Sequence, residues 1–293
     1  AIISTYIQFF KQNSVLYQNF LYSTASINTQ KSTDFLVAPK NIRLEYATTT
    51  QTQNPSMVNL YLARHGQDED NAEGILNGHR DRPLTYLGRE QAREVGKKMK
   101  EAGFVIMSTE TSGTLQMTKI ISIYTSPLQR AHETARIFAE TLSMQKTAED
   151  NTDNDDQIQV EVLDDLIERN FGVMTGLPTS SIIEKCGADH ILATEKINYF
   201  LDHEGAETFP DLILRAKRLL SNIQHITANY DKNESILLVT HGDFGKMLYA
   251  AYYGLEWEQV LRQFHFGNSE VLLLSEDSPP EKAHVFETMQ FNA

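Results

Sequence analysis

Residues 59–85 read NLYLARHGQDEDNAEGILNGHRDRPLT. An apolar, β-prone run climbs through Val58, Leu60 and Leu62, stops at Arg64, His65 and Gly66, and then turns sharply polar. This is how a buried strand ends at a tight turn. In open α/β sheets ligands gather outside the carboxyl ends of strands. Arg64 and His65 are therefore candidates for chemistry, and the other strand ends decide what they serve.

From Met57 onward the chain alternates strand-like and helix-like stretches, the mark of an α/β layer fold. Strands are expected in MVNLYLA, IISIYTS, IQVEVL, SILLVTH, EVLLLS and AHVFET. Helices are expected in YLGREQAREVGKKMKEAG after Thr85 as N-cap, and in PLQRAHETARIFAETLS, ETFPDLILRAKRLLSNIQHI and GDFGKMLYAAYYG. IISIYTS feeds Arg130 into the first turns of the next helix, and SILLVTH delivers His241 followed by Gly242. Singly, a histidine after a strand is usually structural and an arginine in a first helical turn usually lies on the surface. Two of each on one rim suit a phosphoryl group, whose oxygens match guanidinium forks and whose phosphorus a neutral imidazole can attack.

Composition narrows the alternatives. Thirty-nine acids against 26 bases give a formal charge of −13, which repels nucleic acid and anionic lipid surfaces. The lone Cys186 leaves no internal disulfide and no cysteine-rich metal site, as suits a reducing compartment. No run reaches the roughly 18 apolar residues of a membrane span. Residues 1–55 are rich in Ser, Thr, Asn and Gln, and read as a polar, flexible extension preceding a domain at 56–293. A cytoplasmic location is expected, with the extension as an alternative targeting segment. MSTETSGTLQMTK and QKTAEDNTDNDDQ read as solvated loops; the acidic run 149–156 lacks the glycine and terminal glutamate of a calcium loop.

LARHGQ, YTSPLQRAHETA, LIERNFGVMTG, EGAETF and LVTHGD, in that order, resemble the signature blocks of the histidine phosphatase superfamily. The resemblance is to its cofactor-dependent phosphoglycerate mutase and fructose-2,6-bisphosphatase side. It implies a three-layer α/β sandwich with a mostly parallel central sheet flanked by helices. It also implies that His65 is the nucleophile that becomes phosphohistidine, that Arg64, Arg130, His241 and Asn71 hold the phosphoryl oxygens, and that Glu168 gives a proton to the leaving group. No metal and no cofactor is implied, because the arginines neutralise the charge that magnesium neutralises elsewhere.

Several positions have two readings. Glu161, Asp164 and Asp165 compete with Glu168, which only the ERNFG context selects. Glu207 and Thr208 match a block that opens the helix packed beside the pocket, and Glu207 is either a cap or positioning residue or a chemical one. His79, Arg80 and Arg82 either receive a second anion or form a salt-bridged loop, the latter being favoured. Asp68 replaces a commonly found serine or threonine and is expected to face away from the phosphate.

The mutases of the family carry a long arginine-bearing insertion before the block that EGAETF resembles, and its bisphosphatases carry bases there. Here a short segment joins Phe171 to Glu207 with only Lys185 and Lys196 as bases. The sequence thus favours a phosphomonoesterase acting on a small phosphorylated metabolite, with Tyr199, Phe200 and His203 as pocket walls. A phosphoprotein or phosphohistidine phosphatase, a mutase and a catalytically silent binding module are the alternatives. The oligomeric state is not legible.

Overall fold

The computed structural model describes residues 58–104, 119–143, 158–231 and 233–286, all within one unit, Gln53–Ala293. The N-terminal extension, both long polar insertions and the end of AHVFET lie outside the described residues.

Five strands form the main sheet: β1 (Asn59–Arg64), β2 (Lys119–Thr125), β3 (Gln159–Val162), β6 (Glu234–Thr240) and β7 (Val271–Leu274). Their order is β3-β2-β6-β1-β7, and every pairing is parallel except that of β7 with β1. A small antiparallel hairpin, β4 (Ile191–Ala193) with β5 (Asn198–Phe200), stands apart.

The central strands are apolar on both sides because both faces are covered. Leu60 and Leu62 of β1 and Ile236 and Leu238 of β6 point one way, into a core shared with three helices: α5 (Phe209–Ile226), α6 (Gly242–Tyr253) and α7 (Trp257–Gln263). Tyr61, Ala63, Leu237 and Val239 point the other way, onto α2 (Tyr86–Glu101) and α3 (Gln129–Leu142). Two further short helices, α1 (Glu69–Glu73) and α4 (Ile182–Cys186), lie in the connections. The result is the mostly parallel three-layer arrangement that the alternation implies.

Thr85 caps α2 by accepting from the Gly88 N–H, and Thr208 with Asp211 forms a reciprocal capping box on α5. AHVFET is corrected: among its described residues it makes a single bridge, Leu272 to His284, rather than a strand. Backbone bonds from Leu273 N–H to Ala283 and from Val285 N–H to Val271 flank that bridge. Among the described residues no helix is long and apolar enough to cross a membrane.

The strand order positions the site. β6 inserts between β1 and β2, so three carboxyl ends lie side by side, and β7, running the opposite way, starts at the same rim. The turn after β1 is held against the start of α2, where a Cβ on Gly66 would come within 2.3 Å of the Gly88 carbonyl oxygen. Only glycine permits that approach.

Candidate active site

His65 leaves β1 almost fully buried, and its Nδ1 lies 2.6 Å from the Gly66 carbonyl oxygen. A carbonyl only accepts, so Nδ1 carries the proton and the lone pair sits on Nε2. Burial, reinforced by the Arg130 and Arg64 guanidiniums, holds its pKa well below the ordinary histidine value. A neutral ring with a defined lone pair is the form of imidazole that can attack phosphorus.

His241, at the end of β6, stands with its ring centroid 5.0 Å from that of His65. Burial first, then Arg130, His65 and Arg64, likewise depress its pKa. Its Nε2 is 2.7 Å from the Ser126 hydroxyl oxygen, which also accepts from the Leu128 N–H. In the tautomer in which the hydroxyl donates to Nε2, Nδ1 carries the proton. That nitrogen is buried with no hydrogen-bond partner among the described residues, so it can donate to an anionic oxygen.

The two arginines are clamped by backbone. Arg64 donates from Nη1 to the Phe266 carbonyl at 2.8 Å. Its guanidinium carbon lies 3.3 Å from where a Cβ on Gly242 would stand, so glycine there leaves it room. Arg130 donates to the Arg80 carbonyl at 2.6 Å and the Gly78 carbonyl at 2.8 Å. Each terminal nitrogen of Arg130 carries a second N–H beyond these bonds. Burial lowers the pKa of both guanidiniums, opposed by carboxylates that include Glu168 and Asp68.

Asn71 reaches the same rim through Asn268, whose amide donates both to the His65 carbonyl and to Asn71 Oδ1 at 3.1 Å. Asn268 follows α7, a region that carries no motif pointing to a site.

Glu168 is buried at the amino end of α6. Its Oε1 accepts from the Arg169 and Phe244 N–H groups at 2.8 and 3.0 Å, and its Oε2 accepts from the Asp243 N–H at 3.3 Å. Desolvation, then the Asp243 charge, raises its pKa above the ordinary carboxylate value despite those donors. It is thus a carboxyl group able to carry a proton. Arg215 anchors its backbone, donating to the carbonyls of Asp165, Ile167 and Glu168 while pairing with Glu207. Glu207 also accepts from the Asn170 N–H and is a positioning residue rather than a helix cap.

The structure therefore brings together His65, Arg64, Arg130, His241, Asn71 and Glu168. Other expectations change. Asp68 turns inward: its Oδ2 lies 3.1 Å from Arg130 Nε, both side chains being fully buried, and it caps α1 and accepts from Asn77. A desolvated acid stays inside only with such partners. Arg80 forks onto Asp70, Arg82 pairs with Glu69, and His79 bonds the Glu168 carbonyl at 2.8 Å, as a salt-bridged loop would. Tyr199 and Phe200 line a cavity that also contains Asp243, whereas His203 does not line it.

The fold and this rim define an α/β enzyme domain of the phosphatase type. The chain belongs to the histidine phosphatase superfamily, branch 1, whose family model matches residues 60–284. It is 31% identical over 205 residues to a 2,3-bisphosphoglycerate-dependent phosphoglycerate mutase of Parvibaculum lavamentivorans, covering 69% of this chain and 83% of that protein. It is 29% identical over 206 residues to the enzyme of the same name from Bartonella henselae, covering 70% and 85%. Among solved structures it resembles a mycobacterial glucosyl-3-phosphoglycerate phosphatase complexed with VO3, with a TM-score of 0.56 at 22% identity over 74% of this chain and 92% of that one. It also resembles a phosphoserine phosphatase from Entamoeba histolytica in complex with phosphoserine, with a TM-score of 0.52 at 23% identity over 74% and 90%.

Proposed function

We propose that the protein is a metal-independent phosphomonoesterase that acts on a small phosphorylated metabolite through phosphohistidine at His65. The observation that carries this reading is the buried His65 ring, its Nδ1 proton fixed by the Gly66 carbonyl so that the lone pair lies on Nε2. Nε2 forms a bond to phosphorus as the bond from phosphorus to the leaving oxygen breaks. Arg64, Arg130, Asn71 and the Nδ1–H of His241 bind the phosphoryl oxygens, and Glu168 gives its proton to the leaving oxygen. In the second step the Glu168 carboxylate takes a proton from water, which attacks phosphorus and breaks the bond to Nε2. Phosphate leaves and both residues return to their starting states.

The second reading is a phosphoglycerate mutase, favoured by the names of the relatives. Residues 171–207 contain no arginine, and this argues against retention of a phosphoglycerate while the enzyme is phosphorylated.

Incubation with a panel of phosphate monoesters should yield acid-labile, base-stable phosphate on the wild type and none on a folded His65→Ala variant. Full turnover by that variant would overturn the reading. Efficient isomerisation of 3-phosphoglycerate in the presence of 2,3-bisphosphoglycerate would decide for the mutase.

A further inference from the structure

A cavity of about 340 Å3 opens between the β4–β5 hairpin and the start of α6, with Phe171, Ile182, Tyr199 and Phe200 among its apolar walls. It adjoins Glu168, since the Asp243 whose N–H reaches Glu168 Oε2 also lines the cavity. The six proposed site residues lie outside its lining, so Asp243 is the link between Glu168 and this space.

The polar pair in the wall is Arg169 with Asp243, and the two are not equally available. Arg169 lies between the rings of Phe200 and Phe209, 4.2 and 4.3 Å from their centres. It donates from Nε to the Glu207 carbonyl at 2.7 Å and from Nη2 to the Leu201 carbonyl at 3.3 Å. Its Nη1 is 3.6 Å from Asp243 Oδ2, and the side-chain exposures are 1% for Arg169 and 15% for Asp243. Asp243 is the more exposed of the two, while the Arg169 guanidinium is buried, with Nε and Nη2 bonded to carbonyls and Nη1 facing Asp243. Lys196, also in the lining, is exposed at the rim, where water screens its charge.

We propose that Asp243 selects substrates whose leaving group carries a hydrogen-bond donor, a hydroxyl or an ammonium, on an apolar frame, and rejects those carrying a carboxylate. An acid group placed against Asp243 would lose its water and meet a like charge that the ion pair with Arg169 only partly offsets, whereas a donor gains a charge-assisted bond. This rests on the phosphomonoesterase reading for the direction in which the leaving group points.

The test uses matched phosphate monoesters: 2-aminoethyl, 2-hydroxyethyl and carboxymethyl phosphate, and their homologues one carbon longer. Wild type should favour the amine and hydroxyl esters over the carboxylates by at least about tenfold in kcat/KM, a difference typical of one polar contact. The amine and hydroxyl arms show which donor is preferred. Asp243→Asn keeps the N–H that reaches Glu168 and should bring the amine-to-carboxylate ratio close to one. Because Asp243 also raises the Glu168 pKa, that variant changes all alkyl esters together, and the ratio removes this shared effect.

The same esters are titrated calorimetrically against His65→Ala and His65→Ala/Asp243→Asn, which report recognition without turnover. Donor preference in binding, with no wild-type turnover of any ester, would overturn the phosphatase reading and leave Asp243 as the selector. Turnover with a ratio unchanged by Asp243→Asn, or a carboxylate preference abolished by Lys196→Ala, would overturn the role of Asp243 alone.

Discussion

Asp68 Oδ2 lies 3.1 Å from Arg130 Nε, and neither side chain is exposed to water. One carboxylate thereby fixes a guanidinium, the start of α1 and the Asn77 amide. Asp68→Asn keeps the shape but leaves Arg130 a buried cation without its counter-charge, which costs about 3 kcal/mol. Urea unfolding should show that loss. Inorganic phosphate should restore more stability to the variant than it adds to the wild type, since an anion beside Arg130 replaces part of the missing charge.

The pH profile should be a bell displaced toward acid when an alkyl phosphate is the substrate. His65 must be neutral, and its depressed pKa sets the acid limb of kcat/KM below the ordinary histidine range. Glu168 must hold a proton, and its raised pKa places the alkaline limb above the ordinary carboxylate range. Activity should therefore fall as pH rises through the Glu168 pKa and again as it falls through that of His65. Glu168→Gln should lose the alkaline limb while keeping the acid one.

Replacing Glu168 by Gln should also separate leaving groups. An alkoxide needs a proton as it departs, so an alkyl phosphate should slow by on the order of a hundredfold or more. A p-nitrophenolate does not need it. Single-turnover phosphorylation of the enzyme by p-nitrophenyl phosphate should therefore fall much less. Equal losses would pass the role to Asp165, Asp164 or Glu161.

Arg215 holds the Glu168 carbonyl and two carbonyls before it, and pairs with Glu207. Lysine cannot reproduce this fork. Arg215→Lys should therefore copy the leaving-group pattern of Glu168→Gln in weaker form, with kcat on alkyl esters reduced about tenfold and KM little changed. A general loss of folding would slow aryl and alkyl esters alike, so the ratio between them identifies positioning.

Vanadate, which can imitate five-coordinate phosphorus, should inhibit in the presence of EDTA, and EDTA alone should leave turnover unchanged. Loss of activity with EDTA and its rescue by magnesium would replace the guanidinium mechanism with a metal-assisted one.

The layers of the fold were legible because β1 and β6 carry continuous apolar runs that end in sharp polar turns. The short hairpin β4–β5 and the five-residue α1 were not, since elements that brief show no periodicity. The six proposed site residues were visible because each sits at a strand end or inside a motif. Their supports were hidden for a different reason. Ser126, Asn268 and Arg215 act through partners far away in the chain, and Asp68 was misread because the sequence shows its charge but not the buried guanidinium that receives it.

The placement of β1 has a consequence for how the enzyme comes into being. Asn59 pairs with Ser235 on one side and Leu60 with Leu274 on the other, so the strand bearing His65 acquires both neighbours only from segments made much later. Sheets closed by such distant pairings form slowly, and until they close the early strand presents bare edges to other chains. A ribosome-bound chain halted before β6 would hold the proposed nucleophile and both guanidinium clamps yet lack His241 and the strand that seats them side by side. On the proposed reading, catalytic competence arrives only with the last strands, and the nascent protein is exposed to aggregation in the meantime.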